Sequence, residues 1–155
     1  MNKLASALLT ATALVMGLAG PASAATTGAQ RFVIIDTGPE GTPGTAVLSG
    51  PVTGVGTSVD VGTDGTIALA GGTISVHHPQ TSVNDVFNPA TCILTIDEAG
   101  PYEITGGTGT FAGISGSGTD TVQGTVVFGR TPGGCSQAPI GTVVVVRASG
   151  TTTLP

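Results

Sequence analysis

The chain predicts an all-β fold, an antiparallel β-barrel of about eight strands, and two observations carry that expectation. Eight or nine short runs rich in Val, Ile and Thr recur between turns marked by Gly and Pro. No window beyond residue 24 sustains apolar spacing at 3.6 residues, so the predicted strands have no helical rival. Charged residues make up 8% of the chain, against about 25% in typical soluble domains, so Thr, Ser and Gly must cover its outside.

Residues 1–24 read as an export tag rather than as part of the fold. Lys3 supplies the positive start and Leu4 to Gly20 is a mostly apolar run. Pro21-Ala22-Ser23-Ala24 ends in the small-x-small pattern of a signal-peptidase site, which predicts a cut before Ala25. A membrane span fits less well, because Thr10 and Thr12 interrupt the run and no basic stop-transfer cluster follows. The expectation is a signal peptide at 1–24, a single domain at 25–155 and secretion to the wall or medium. Membrane contact is expected only through the removed tag.

Without the tag the only cations besides histidine are Arg31, Arg130 and Arg147, against nine acidic residues, a net charge of 3 − 9 = −6. Phosphate backbones need a clustered basic face, so nucleic acid is excluded as a partner. Docking on anionic lipid is excluded on the same ground. Cys92 and Cys135 form the one even pair, and in an oxidising compartment that predicts a disulfide. Closing a loop of about 44 residues is worth on the order of 4 kcal/mol in the chain-entropy model. A reactive thiol is the lesser alternative, since there is no CxxC spacing and no neighbouring cation.

In chain order, Ala25 to Gln30 reads as a frayed leader and Arg31 to Thr37 as the first strand. Gly38 to Gly44, with two prolines, is a loop. Strands follow at Thr45 to Val52 and Ser58 to Val61, and Asp64-Gly65 signals a hairpin turn before Ile67. Thr73 to His78 alternates, placing Ile74 and Val76 on one face. Pro79 to Pro89 is a polar excursion carrying Phe87. Cys92 to Ile96 is a buried-looking strand, closed by Asp97-Glu98-Ala99-Gly100-Pro101. Tyr102 to Thr119 is a glycine corner pinned by Phe111. Thr121 to Arg130 and Ile140 to Ser149 are the last two strands, with Cys135 in the loop between them.

At the corner, Ile104-Thr105-Gly106-Gly107-Thr108-Gly109-x-Phe111 with Gly116 behind it resembles the GGTGxF signature of the allene oxide cyclase and dirigent proteins. Val33-Ile34-Ile35-Asp36 is similar to the first dirigent strand, which ends in aspartate. The exported, two-cysteine form also resembles small secreted actinobacterial proteins without assigned activity. The resemblance implies an eight-stranded antiparallel barrel in which Gly106, Gly107, Gly109 and Phe111 shape a structural corner. The chain departs from the dirigent pattern at Thr37, where a second acid is common, and at Thr110, where a basic residue is common.

Chemistry-bearing residues are few. His77 and His78 are adjacent on a strand and point to opposite faces, so they cannot ligate one metal together without a bulge; they read as edge or surface histidines, with a pocket role for one ring as the lesser alternative. The repeat Gly107-x-Gly109 and Gly116-x-Gly118-x-Asp120 has the nine-residue spacing of calcium β-rolls, but only two copies, and Phe111 stands where the first needs aspartate. No Lys follows in a phosphate-loop pattern, and Gly113-Ile114-Ser115-Gly116 lacks the GxSxG spacing. No catalytic residue, metal site or cofactor is assigned. Asp36, Glu103, Asp97 and Glu98 leave a carboxylate pair open, with Asp97 and Glu98 read as solvated turn residues. Arg147 shares a face with Val143 and Val145, and it either reaches the barrel mouth or pairs with Asp36 inside. Asp36 and Arg147 are therefore the candidate ligand contacts.

The function expected from this inventory is a non-catalytic extracellular binding or surface-interaction module. Its partner would be a small apolar ligand or an extracellular surface component, and self-assembly is compatible with it. The alternative is an enzyme whose cavity steers cyclisation or coupling of an apolar small molecule.

Overall fold

The computed structural model describes residues 24–155, so the expected export tag lies outside the described residues except for Ala24. Ten strands follow in order: β1 Thr26–Asp36, β2 Gly44–Ser49, β3 Gly54–Val61, β4 Asp64–Leu69, β5 Gly72–His77, β6 Ser82–Val83, β7 Val86–Asn88, β8 Ile93–Gly107, β9 Ser115–Thr131 and β10 Gly134–Leu154. A 3-10 turn, Gly109–Phe111, joins β8 to β9. All pairings are antiparallel. The order β5-β4-β3-β2-β1-β10-β9-β8 closes through β5–β8 into an eight-stranded barrel.

The closed barrel meets the expectation, with strands longer than the sequence suggests. The leader is not frayed: residues 26–30 extend β1 against Gly150–Leu154 of β10. Gln30 is fully buried there and anchors the 50–53 turn, donating from Nε2 to the Val52 carbonyl and accepting from the Val52 N–H, each at 2.9 Å. The polar excursion after β5 supplies β6 and β7, which lie along the first half of β8.

The hairpin turn falls at Gly62-Thr63, since Val61 pairs Asp64, and not at Asp64-Gly65. Gly65 instead gives up its side-chain space, where a Cβ would collide with Asp60 Oδ1. The stretch 97–101 is not a turn either, because β8 runs straight through it. Even-numbered residues of β8 bond toward β9, and Ala99 and Asp97 bond the other way, to Thr81 and Asn84. The nitrogen of Pro101 therefore faces the gap between the last β6 pair at Ala99 and the first β5 pair at Glu103, where no ladder bond is lost.

The core fills the lower barrel with Phe32, Ile34, Leu48, Ile67, Ile74, Tyr102 and Ile104. Phe32 and Tyr102 meet edge to face at 5.5 Å. Phe111, 8% exposed, plugs the lower end together with Ile114. The corner around it is as tight as its glycines imply. Gly109 has φ +60, and a Cβ there would run into the Gly71 carbonyl. Gly107 faces the Phe111 backbone with equally little room, whereas Gly106 has open space around it. Cys92 and Cys135 are bonded, with Cα atoms 5.4 Å apart, tying the start of β8 to the start of β10.

Candidate ligand site at the barrel mouth

Strand alternation decides what reaches the mouth, the end opposite Phe111. Inward positions there are Asp36 on β1, Asp60 on β3, Glu98 on β8, Asp120 and Val122 on β9, and Val144 and Val146 on β10. His78 and Gln80 follow β5 and fold over the same opening. Together with the loop Gly38–Thr42, these residues enclose a bowl of about 360 Å³. That volume lies within the range of about 300–1,000 Å³ for small-molecule pockets. Beneath it is a smaller cavity of about 30 Å³ lined by Phe32, Ile67, Val76, Tyr102 and Asp120. Asp60, His78 and Val146 are walls of both.

His78 is the centre of the arrangement. Its Nε2 lies 3.7 Å from Asp60 Oδ1, and its Nδ1 lies 3.7 Å from Asp120 Oδ2. Gln80 Nε2 donates to Asp120 Oδ2 at 3.3 Å and sits 3.4 Å from His78 Nδ1. Ser58 Oγ donates to Asp60 Oδ2 at 3.5 Å. The neighbouring Asp60 carboxylate raises the imidazole pKa, with Asp120 and Asp64 adding to it while burial opposes.

Three acids of the mouth, Asp36, Glu98 and Asp120, have their pKa raised by burial. Burial pushes the Asp120 carboxyl up, opposed by Gln80, His78 and the Gly100 backbone. Burial, then the Asp60 charge, raises Asp36. Burial, then Asp85, raises Glu98. The Tyr102 hydroxyl is raised by burial and by Asp120. Asp120 and Tyr102 are each only 3% exposed, and Asp120 Oδ1, the Tyr102 hydroxyl and Gln80 Oε1 have no hydrogen-bond partner within the described protein. Among the described residues no group of three or more His, Cys, Asp or Glu is arranged to hold a metal ion.

The two residues singled out as ligand contacts are not brought together. Asp36 lines the bowl, its carboxylate occupying the space where Gly44 has no side chain. Arg147 lies on the opposite face of the barrel wall, exposed in an outer trough with Asp97, Gln123, Val143 and Val145. The strand period is the reason: Arg147 has the parity of Val143 and Val145, whereas Val144 and Val146 face in. His77 and His78 do point to opposite faces, and His77 is bound outside to Asp64 at 2.9 Å. Sequence reasoning took Glu98 for a solvated turn residue and His78 for an edge or surface histidine, and it missed Asp60 and Asp120. Extending the alternation Gly116, Gly118, Asp120, Val122 along β9 would have found the last of them. Comparison of the chain with protein-family models, with curated proteins and with solved structures gives no match.

Proposed function

We propose that the protein is an exported, non-catalytic small-molecule-binding barrel of the allene oxide cyclase and dirigent type. Its ligand site is the bowl at the mouth. The bowl itself carries the reading: an opening of about 360 Å³ has apolar walls from Ile96, Val122, Val126, Val144 and Val146, and polar groups converge on its floor at His78. Pockets that hold a small molecule combine those two features. The glycine signature ending at Phe111 supports the family likeness, and the residue 1–24 pattern with the Cys92–Cys135 bond supports export.

Native mass spectrometry of protein recovered from its own culture medium tests the proposal. The expected result is a chain beginning at Ala25 with a small organic mass bound, released when the bowl is blocked by Val144→Trp. A bare chain that takes up no member of a small-molecule library would overturn it.

A second reading, a barrel that steers cyclisation or coupling of its ligand, is favoured by one observation. An imidazole flanked by two carboxylates at 3.7 Å can hold and hand on a proton. Recovering added ligand as an isomer or coupled product, and losing that conversion in His78→Ala, would establish it over simple binding.

A further inference from the structure

We propose that the small cavity under the bowl is a head-group pocket for a primary ammonium, so that the ligand is an organic amine with an apolar body. This inference rests on the bowl being the ligand site. Size sets the first constraint: about 30 Å³ accommodates a group the size of one or two water molecules, since a single water needs roughly 10–15 Å³. An –NH₃⁺ group fits. A phosphate or guanidinium does not.

Charge sets the second. Asp36, Asp60, Glu98 and Asp120 surround the two cavities, His78 is the one cationic side chain among their linings, and neither lining includes Lys or Arg. Such a concentration of acids in a low-dielectric recess attracts cations and repels carboxylates. Hydrogen bonding sets the third and is independent of the other two. Asp120 Oδ1, on the wall of the lower cavity, can only accept while Asp120 is ionised, is buried, and has no donor in hydrogen-bond geometry within the described protein, and Gln80 Oε1, lining the bowl above it, is a second unmet acceptor. Leaving such an acceptor unmet is costly, so a ligand that brings donors is favoured. Tyr102, whose hydroxyl is also unpartnered, stands on the same cavity wall as Asp120. An ammonium supplies three donors and one positive charge at once. Its hydrocarbon body then lies on Val122, Val144 and Val146 above.

Titration calorimetry and amide chemical-shift mapping on the purified protein, with n-hexylamine, 1-hexanol, hexanoate and hexyltrimethylammonium as probes, test this. Hexylamine is expected to bind at least ten-fold more tightly than each of the others and to shift the amides of residues 78, 102, 120 and 146. Hexyltrimethylammonium keeps the charge but has no N–H and is too bulky for the lower cavity. Asp120→Asn should weaken hexylamine about ten-fold, and Asp97→Asn, outside the barrel, should not. If hexanol or hexyltrimethylammonium binds as well as the amine, the ammonium pocket is refuted while the bowl stands. If no probe shifts the amides of the bowl, both are refuted. The comparison among probes is made on the unaltered protein, so it holds even if Asp120→Asn fails to fold.

Discussion

Replacing His78 with glutamine removes the one cationic side chain among the bowl's lining residues and leaves a side chain of similar reach. The histidine side chain is 14% exposed, and its ring nitrogens each lie 3.7 Å from a carboxylate oxygen, of Asp60 on β3 and Asp120 on β9. Unit charges at that separation attract by about 4 kcal/mol at an effective dielectric near 20. Desolvation of the three groups offsets most of this, which leaves an expected net loss of about 1–2 kcal/mol. Folding raises the His78 pKa, so the native state holds the proton more tightly than the unfolded chain does. The stabilisation is complete below the ordinary histidine value of about 6.5 and is lost as pH rises through the higher native value. Asp64 on β4 adds to the same shift, and Gln80 beside the ring is uncharged. Urea unfolding at pH 6 and at pH 9 is the assay. His78→Gln should lower the pH 6 midpoint by about 0.5–1 M and leave the pH 9 midpoint near that of the parent. Equal losses at both pH values would mean that His78 contributes by packing alone, and a charged imidazole between Asp60 and Asp120 would be refuted.

Replacing Cys92 and Cys135 together with serine should cost about 4 kcal/mol, read by circular dichroism as a fall in Tm on the order of 15 °C. A change within about 3 °C would show that the loop is already constrained by β7–β8 pairing. Phe111→Ala should cost about 3–5 kcal/mol in the same assay, because the ring is buried in the lower plug with Ile114 beside it. Binding of hexylamine at the far end should survive that change, and its loss would show that plug and mouth are coupled.

How much was legible in the sequence follows from what each residue type can say by itself. Alternating Val, Ile and Thr with punctuating Gly predicts strands, and the even cysteine pair predicts its bond, because both signals are local. The corner at 106–111 was legible for the same reason: Gly109 must adopt positive φ, and Phe111 is the one aromatic side chain within the corner to plug the end. The mouth was not, because a carboxylate on a strand has the same chemistry facing in or out. Only its parity decides, and parity is lost wherever a strand boundary is misplaced. Ending β8 at Ile96 turned Glu98 into a solvated turn residue. Reading Asp64-Gly65 as the hairpin turn hid the service Gly65 performs for Asp60, which is to leave room beside His78.

The placement of the polar groups within the barrel argues that the mouth is a site and not a defect of packing. Lower down, space is closed with care: the Tyr102 ring lies where Gly118 and Gly150 have no side chains, and a Cβ at either position would strike it. A chain able to fill its interior so closely had aliphatic residues to spare for the upper layer, as Val122, Val144 and Val146 demonstrate. It places Asp36, Asp60 and Asp120 between them instead, and each buried acid without a full set of donors lowers stability. Burial raises the pKa of Asp36, Glu98 and Asp120 alike, so the folded state resists their ionisation and should gain stability as pH falls through their raised native values toward the ordinary carboxylate range of about 4. A bound cation would relieve the same strain at neutral pH. Hexylamine should therefore raise Tm more at about pH 7 than at about pH 4, where the carboxyls are protonated, and an equal rise at both would separate the ligand from these carboxylates.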